Sequence, residues 1–101
     1  YEGGIREPGI LEWPDMLDTH RETTFPASVS DYLLTFLDAT GASHPHPTWA
    51  NDGISLMPLL RYAAAQPSHH TTVSIHRAKP LGFQLGRQQA WIDNHWKLVR
   101  K

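Results

Sequence analysis

The opening stretch of the chain constrains its fold most, because it places a flexible loop directly before an apolar run. Two adjacent glycines, Gly3 and Gly4, let the backbone adopt a positive φ or approach another group closely. The apolar residues that follow suit a short strand buried on both faces, and Pro14 closes the run. We therefore expect a loop that leads into a core strand over residues 9–13.

A first helix is predicted over residues 30–40. Ser28 or Ser30 can accept hydrogen bonds from the first turn, and Gly41 can close the last turn in a left-handed conformation. We expect the apolar stripe of this helix to be its core face. The stripe consists of residues at helical spacing: Val29, Tyr32, Leu33, Phe36 and Leu37.

A second, shorter helix is predicted to start after Ser55, which can cap its first turn, and to stop at Gln66 and Pro67. Its apolar positions are Leu56, Leu59, Leu60 and Ala63, and Pro58 is tolerated in the first turn. Residues 15–27 and 42–49 are predicted to be loops, and Asp52-Gly53 is predicted to form a turn.

The last part of the chain predicts a small antiparallel sheet. Residues 71–76 alternate β-branched and polar side chains, and residues 81–85 form a second candidate strand. Residues 89–92 and 96–100 predict a hairpin around Asp93-Asn94. A two-residue turn there would place Trp91 opposite Trp96, and Ile92 opposite His95.

Length and charge limit the function classes. At 101 residues the chain forms one domain at most. Nine Lys and Arg against ten Asp and Glu give a formal charge of −1, which argues against nucleic acid or an anionic membrane as partner. The absence of cysteine excludes a disulfide, a thiolate metal site and a cysteine nucleophile in this chain. No apolar stretch is long enough to span a bilayer.

Several motifs occur in a fixed order along almost the whole chain. Together they resemble the sulfatase family, a member group of the alkaline-phosphatase-like superfamily. In chain order the motifs are Glu2-Gly3-Gly4-Ile5-Arg6-Glu7-Pro8-Gly9-Ile10, then Val29-Ser30-Asp31 with Leu33-Leu34-Thr35-Phe36-Leu37-Asp38, then Asp52-Gly53-Ile54-Ser55-Leu56-Met57-Pro58-Leu59-Leu60, then Lys79-Pro80-Leu81-Gly82-Phe83, and last Trp96-Lys97-Leu98-Val99. Leu34 stands where the family usually has proline.

The resemblance implies an α/β fold: a core strand and two helices, followed by a small C-terminal antiparallel sheet. Residues 1–70 would end the main α/β part, and residues 71–101 would form the sheet. It also implies cleavage of sulfate esters by a formylglycine nucleophile, made from a Cys/Ser-x-Pro-x-Arg motif, with calcium or magnesium. In the family these groups precede the matching segment. We therefore expect this chain alone to be inactive and to need the N-terminal part of its domain. The family also makes export, the periplasm or the lysosome plausible addresses, but the sequence assigns none.

The resemblance places four residues at the edge of the substrate pocket, because the matching segment follows the catalytic lysine of the family. They are Glu2, Gly3, Gly4 and Arg6. Arg6 could orient an anionic substrate or form a structural ion pair with Glu2, Glu7 or Glu12, and of these two roles the structural ion pair is favoured. We expect no metal ligand and no catalytic residue within the chain.

Other candidates favour ordinary structural roles. Ser43-His44-Pro45-His46-Pro47 lacks the arginine that a Ser-x-Pro-x-Arg motif needs, and Asn51 with Asp52 gives too few oxygens for calcium. The histidine pairs His44/His46 and His69/His70 fit no zinc spacing, so solvated loops are favoured over a metal site. Trp13, Trp91 and Trp96 could form a carbohydrate surface, but a core or domain interface is favoured.

The alternative function is a standalone binding module derived from a sulfatase, which would use the aromatic hairpin or the histidine loops. A segment that belongs to a larger domain should instead expose apolar surface where its neighbours would pack. We expect that surface at Ile10, Leu11 and Trp13.

Overall fold

The computed structural model describes residues 2–67 and 72–101, without the side chain of Glu2. Strands β1 and β2 form a two-stranded parallel sheet, and β3, β4 and β5 form an antiparallel sheet in that order. In chain order the elements are a short 3₁₀ helix at Glu2–Gly4, β1 at Glu22–Thr23, α1 at Asp31–Thr40, α2 at Met57–Ala65, β2 at Thr72–Val73, β3 at Leu81–Leu85, β4 at Gln88–Asp93 and β5 at Trp96–Arg100.

The apolar core lies between α2 and β2. Leu59, Ala63 and Val73 form its buried centre, and half-buried side chains from the preceding loop and from the segment after β2 pack against it. Those side chains are Leu17, Phe25 and Ile75. The core is therefore small, and polar interactions carry much of the remaining cohesion.

Helix α2 confirms the second predicted helix. Ser55 Oγ accepts a hydrogen bond from the Met57 backbone N–H at 3.1 Å, and Pro58 lies in the first turn. Gln66 ends the helix in an extended conformation. Asp52-Gly53, however, does not form the predicted turn: this stretch has no regular structure, and Gly53 lies against the backbone of Ser30.

Helix α1 confirms the first predicted helix in its bounds but not in its orientation. Gly41 closes its last turn at φ 68°, as expected, whereas Ser30 occupies the N-cap position without a side-chain capping bond. The buried residues of α1 are Asp31 and Thr35. The predicted core face was wrong: its members Val29, Tyr32, Leu33 and Phe36 are exposed, and Leu37 is half-buried.

Residues 9–13 do not form the predicted core strand. No strand lies beside them in the described parts of the chain, and a strand without a partner leaves its backbone groups unpaired. Ile10 is 98% exposed and Leu11 is also exposed, which confirms the apolar surface expected there. Trp13 is half-buried, and its carbonyl accepts from the N–H groups of Met16 and Leu17 in a turn.

The short parallel sheet was only partly predicted. Of residues 71–76, Thr71 lies outside the described residues and only Thr72 and Val73 form a strand. Their partners, Glu22 and Thr23, lie in a segment that was predicted to be all loop. Two-residue strands give no periodicity to recognise in a sequence.

The antiparallel sheet confirms β3 and the β4–β5 hairpin, but its register differs from the prediction. Asp93 faces Trp96, and Trp91 faces Leu98. The turn residues are thus Asn94 and His95, and Asn94 takes the positive φ of 52°. The predicted Trp91–Trp96 and Ile92–His95 pairs were therefore wrong: the turn lies one residue later than predicted, and each partner in β5 lies two positions further along the chain.

Candidate functional site

The candidate pocket-edge residues lie together at the start of the chain. Glu2, Gly3 and Gly4 form the short 3₁₀ helix, and Arg6 follows it. Gly3, Gly4 and Arg6 are exposed. The guanidinium of Arg6 is thus accessible to solvent on an irregular segment.

The two glycines do not have the conformational role expected of them. Neither Gly3 nor Gly4 has a positive φ, and no atom lies within 4 Å of where a Cβ would stand. The close approach occurs at Gly53 instead. A Cβ there would lie 2.0 Å from the carbonyl oxygen of Ser30, so only glycine fits without a backbone shift.

A buried ion pair between Asp31 and Arg77 is the main polar cluster in the described parts of the chain. The Nη1 and Nη2 atoms of Arg77 donate to Oδ2 and Oδ1 of Asp31 at 2.8 and 2.9 Å. Asp31 is fully buried, and Arg77 is 3% exposed. Such a two-point pair fixes both side chains in orientation as well as in distance.

Asp31 also joins two loops to the start of α1. Its Oδ2 accepts from the Ser28 backbone N–H at 2.8 Å, and its Oδ1 accepts from the Ile54 N–H at 2.9 Å. Burial raises the pKa of Asp31, but the hydrogen bonds from Arg77, Ile54 and Ser28 and the charge of Arg77 outweigh it and hold this pKa below its ordinary value. Asp31 is therefore ionised at neutral pH.

Arg77 extends the cluster to the β4–β5 turn. Its Nη1 donates to the carbonyl of Pro26 at 3.1 Å, and its Nε donates to the carbonyl of Lys79. Its backbone N–H donates to Oδ1 of Asn94 at 2.6 Å, and its carbonyl accepts from Nδ2 of Asn94 at 3.0 Å. One arginine thus holds the helix start and the hairpin turn at fixed positions.

This cluster is structural in its chemistry. Both carboxylate oxygens of Asp31 already accept two hydrogen bonds, and no buried polar side-chain atom in the described residues lacks a partner. A carboxylate in that state has no free position for a proton or a ligand. Asp31 and Arg77 therefore position other elements and take no part in proton transfer.

The contact between Asp31 and Arg77 was not predicted from the sequence. Asp31 followed Ser30 at a helix start, where an acidic residue has an ordinary role near the helix dipole. Arg77 lay in an unpatterned segment before Pro80. Only the motif order hinted at Asp31, and no sequence signal joined it to a residue 46 positions away.

Two tryptophans of the sheet are exposed, and Trp91 lines an open groove. Trp91 and Trp96 are 52% and 80% exposed, so neither is a core residue within this chain, and their favoured alternative place at a domain interface stays a prediction. The ring of Trp91 lies over Gly82, its partner in β3, and a Cβ at Gly82 would lie 3.2 Å from it. The groove holds about 480 Å³ and also borders Gln84, Gln89, Leu98 and Arg100.

The histidines of the described residues contact one another only in pairs, and no three of them converge. His46 stacks on Trp49 with ring centroids 4.0 Å apart, and its backbone N–H donates to Nδ1 of His44 at 2.9 Å. His69 and His70 lie outside the described residues. Asn51 and Asp52, which were considered as calcium ligands, belong to no cluster of acidic or histidine side chains in the described residues.

Comparison with known proteins adds a family to this geometry. Arylsulfatase D of Homo sapiens is 41% identical over 69 residues, which cover 68% of this chain and 12% of that protein. Steryl-sulfatase of Homo sapiens is 38% identical over 69 residues, which cover 68% of this chain and 12% of that protein. Arylsulfatase A of Bos taurus is 36% identical over 83 residues, 79% of this chain and 15% of that protein.

The chain belongs to the sulfatase family. It corresponds to a C-terminal portion, as the order of its motifs predicted. No protein-family model and no solved structure matches it. The sulfatase segment, as we call residues 1–101, spans only about one eighth of the curated relatives it matches, 12% for the first of them.

The family implies a calcium or magnesium ion, and the described residues of the sulfatase segment do not fit one. Across residues 2–67 and 72–101 no three His, Cys, Asp or Glu side chains converge. A hard cation needs about six oxygen ligands around one point. No helix in these ranges has the length and apolar content needed to cross a bilayer.

Proposed function

We propose that the sulfatase segment is part of an enzyme that hydrolyses sulfate esters, with the formylglycine nucleophile and the divalent metal supplied by residues outside it. The observation that carries this proposal is identity of 33–41% to several sulfatases, arylsulfatase D and N-acetylgalactosamine-6-sulfatase among them. The segment by itself is then inactive, since its sequence has no Cys/Ser-x-Pro-x-Arg motif and its described residues form no set of metal ligands.

Within that enzyme, Glu2, Gly3, Gly4 and Arg6 form part of the edge of the substrate pocket. The exposure of Gly3, Gly4 and Arg6 on an irregular segment supports this placement. A guanidinium matches the oxygens of a sulfate group because it presents several N–H donors in one plane. Arg6 would orient the anionic ester through these donors.

The segment divides between the two parts of an alkaline-phosphatase-like fold. Residues 1–70 would end the main α/β part, and residues 71–101 would form its C-terminal antiparallel sheet. Two contacts support a fixed arrangement of these parts: the pairing of β1 with β2, and the bonds of Arg77 to Asp31 and Asn94.

The test compares two preparations: the pure 101-residue chain, and the protein encoded by the complete reading frame around it. We expect the complete protein to release nitrophenol from nitrophenyl sulfate and to lose this activity on treatment with a chelator. We expect no release by the chain alone. Activity of the chain alone, or its absence from the complete, correctly modified protein, would contradict the proposal.

A variant pair then tests the pocket edge in the complete protein. Arg6→Gln should lower kcat/KM for the sulfate ester, because a donor to the anionic group is lost. Arg87→Gln is the matched control, since Arg87 is an exposed arginine in the β3–β4 turn. Equal kcat/KM for both variants and the parent protein would remove Arg6 from the pocket.

A further inference from the structure

We propose that the outer face of α1 is the surface on which the rest of the same sulfatase polypeptide packs. This outer face is defined by Val29, Tyr32, Leu33 and Phe36. The inference rests on the proposed function, because it takes the remainder of the enzyme as the occupant.

The outer face is continuous and uncharged. Tyr32 and Leu33 lie four and three residues before Phe36, so these three residues share one side of the helix. Val29 lies in the turn just before α1. Val29 is 78% exposed, Phe36 is 63% exposed, and Leu33 and Tyr32 are close to half exposed. The rings of Tyr32 and Phe36 lie 6.2 Å apart, which makes a contiguous aromatic patch.

The outward orientation of this face is fixed by the opposite side of the helix. Asp31 is held by Arg77, and Thr35 Oγ1 accepts from the Leu56 N–H at 2.9 Å while donating to the Asp31 carbonyl at 2.7 Å. Rotation of α1 to bury the apolar side chains would break these buried bonds, each costly to leave unmade. The chain therefore cannot cover the face by repacking α1.

The composition of α1 is typical of a helix buried on most sides. Leu34 and Leu37 flank the outer face and are half-buried, so apolar side chains occupy most of the helix surface; the polar side chains are Asp31, Thr35 and Asp38 on the inner side and Thr40 at the end of the outer face. A helix that is apolar around most of its circumference belongs in the interior of a larger domain. Residues of this chain form the hydrogen bonds of the inner side, whereas the outer face needs a neighbouring element to cover it.

The rest of the enzyme is the occupant that fits. The match covers only 12% of arylsulfatase D, so most of the residues of such a protein lie outside the segment. The exposed sheet differs from the outer face of α1 in charge. Its apolar side chains alternate with charged ones, namely Asp93, Lys97 and Arg100. An uncharged face fits a buried contact within one domain, whereas a mixed surface tolerates water.

Hydroxyl-radical footprinting of the complete wild-type protein tests the inference without a variant. We expect Tyr32 and Phe36 to lose most of their reactivity when the protein folds, relative to the same protein in urea. If Tyr32 and Phe36 were almost as reactive in the folded protein as in urea, the inference that the outer face is covered would be overturned. Protection that disappears on dilution, together with a dimer in sedimentation, would assign the face to a second copy and would also overturn it.

A variant pair at one position supplies an independent readout in the complete protein. Phe36→Asp should lower the melting temperature and the soluble yield, because it places a charge in an apolar contact, whereas Phe36→Leu should change both little. Equal behaviour of the two variants would contradict the inference. The nitrophenyl sulfate assay separates the two proposals. If the complete protein is active but Tyr32 and Phe36 stay reactive, only the packing of the outer face is contradicted. If the protein is inactive but Tyr32 and Phe36 are protected, only the proposed activity is contradicted.

Discussion

Asp31 and Arg77 form a buried two-point ion pair, with N–O distances of 2.8 and 2.9 Å, although they lie 46 residues apart in the chain. The pair joins the start of α1 to the segment before β3. Through Asn94 it also reaches the β4–β5 turn. In a chain with so small an apolar core, this polar cluster determines how the helix and the sheet are arranged.

Replacement of Asp31 by asparagine should destabilise the chain severely. The substitution removes the negative charge and leaves Arg77 buried without its counter-charge, which costs about 3–5 kcal/mol. The measurement is urea unfolding followed by far-UV circular dichroism. Because that cost approaches the total stability of a small domain, Asp31→Asn can also be unfolded in the absence of urea.

The control for this prediction is the exposed ion pair between Arg61 and Asp38, whose N–O distance is 3.7 Å. Arg61→Gln should change the free energy of unfolding by about 0–1 kcal/mol, since exposed pairs are screened by water. If Asp31→Asn and Arg61→Gln had similar unfolding midpoints, the buried pair would not have the role assigned to it.

Acid should weaken the fold through Asp31. Its folded pKa lies below the ordinary value of 3.8, so its contribution is complete above the unfolded pKa and is lost as pH falls through the folded pKa. We expect the urea midpoint to fall below about pH 4. Asp31→Asn should lack this part of the pH dependence wherever it remains folded, and parallel curves for both proteins would exclude Asp31 as the cause.

A methyl group at Gly53 should be poorly tolerated. In Gly53→Ala the new Cβ would lie 2.0 Å from the Ser30 carbonyl oxygen, and the three nearest atoms are all backbone atoms of Ser30 and Asp31, which cannot rotate away. We expect a loss of more than about 1–3 kcal/mol, the usual cost of overpacking. Gly9→Ala is the control, because no atom lies within 4 Å of its Cβ position. Thermal melts of the two variants should therefore diverge, and coincident melts would refute the close contact.

The β4–β5 turn should depend on Asn94 for two separable reasons. Asn94→Gly keeps the freedom to adopt a positive φ but loses both side-chain bonds to Arg77, and Asn94→Ala loses the bonds and adds backbone strain of roughly 1–2 kcal/mol. The expected order of stability is wild type, then Asn94→Gly, then Asn94→Ala. A glycine variant as stable as wild type would show that the bonds to Arg77 contribute nothing.

The helices and the hairpin could be predicted from the sequence because short runs of neighbouring residues mark where they begin and end. Gly41 marked the end of α1, and Ser55 and Pro58 marked the start of α2. Each depends on residues within a few positions of one another. The hairpin was found in the same way, but its register was not, because Asp93-Asn94 and Asn94-His95 are both acceptable turns, and the pairing of Asp93 with Trp96 decides between them.

The long-range features could not be predicted from single residues. The side of α1 that faces inward depends on the pairing of Asp31 with Arg77, and hydrophobicity alone favoured the opposite side. The strand expected over residues 9–13 depends on partner strands that the described residues do not include. Of the candidate pocket edge, the sequence supplied the family and the residues Glu2, Gly3, Gly4 and Arg6, and their relation to a substrate remains a prediction.

The distance in sequence between Asp31 and Arg77 also bears on the order of events during synthesis. A ribosome completes the residues of α1 well before it adds Arg77, so the carboxylate of Asp31 has no counter-ion while the intervening residues emerge. Closing that loop costs conformational entropy before the pair is formed. The first turn of α1 can therefore take its final position only late in translation, when the segment before β3 has left the ribosome.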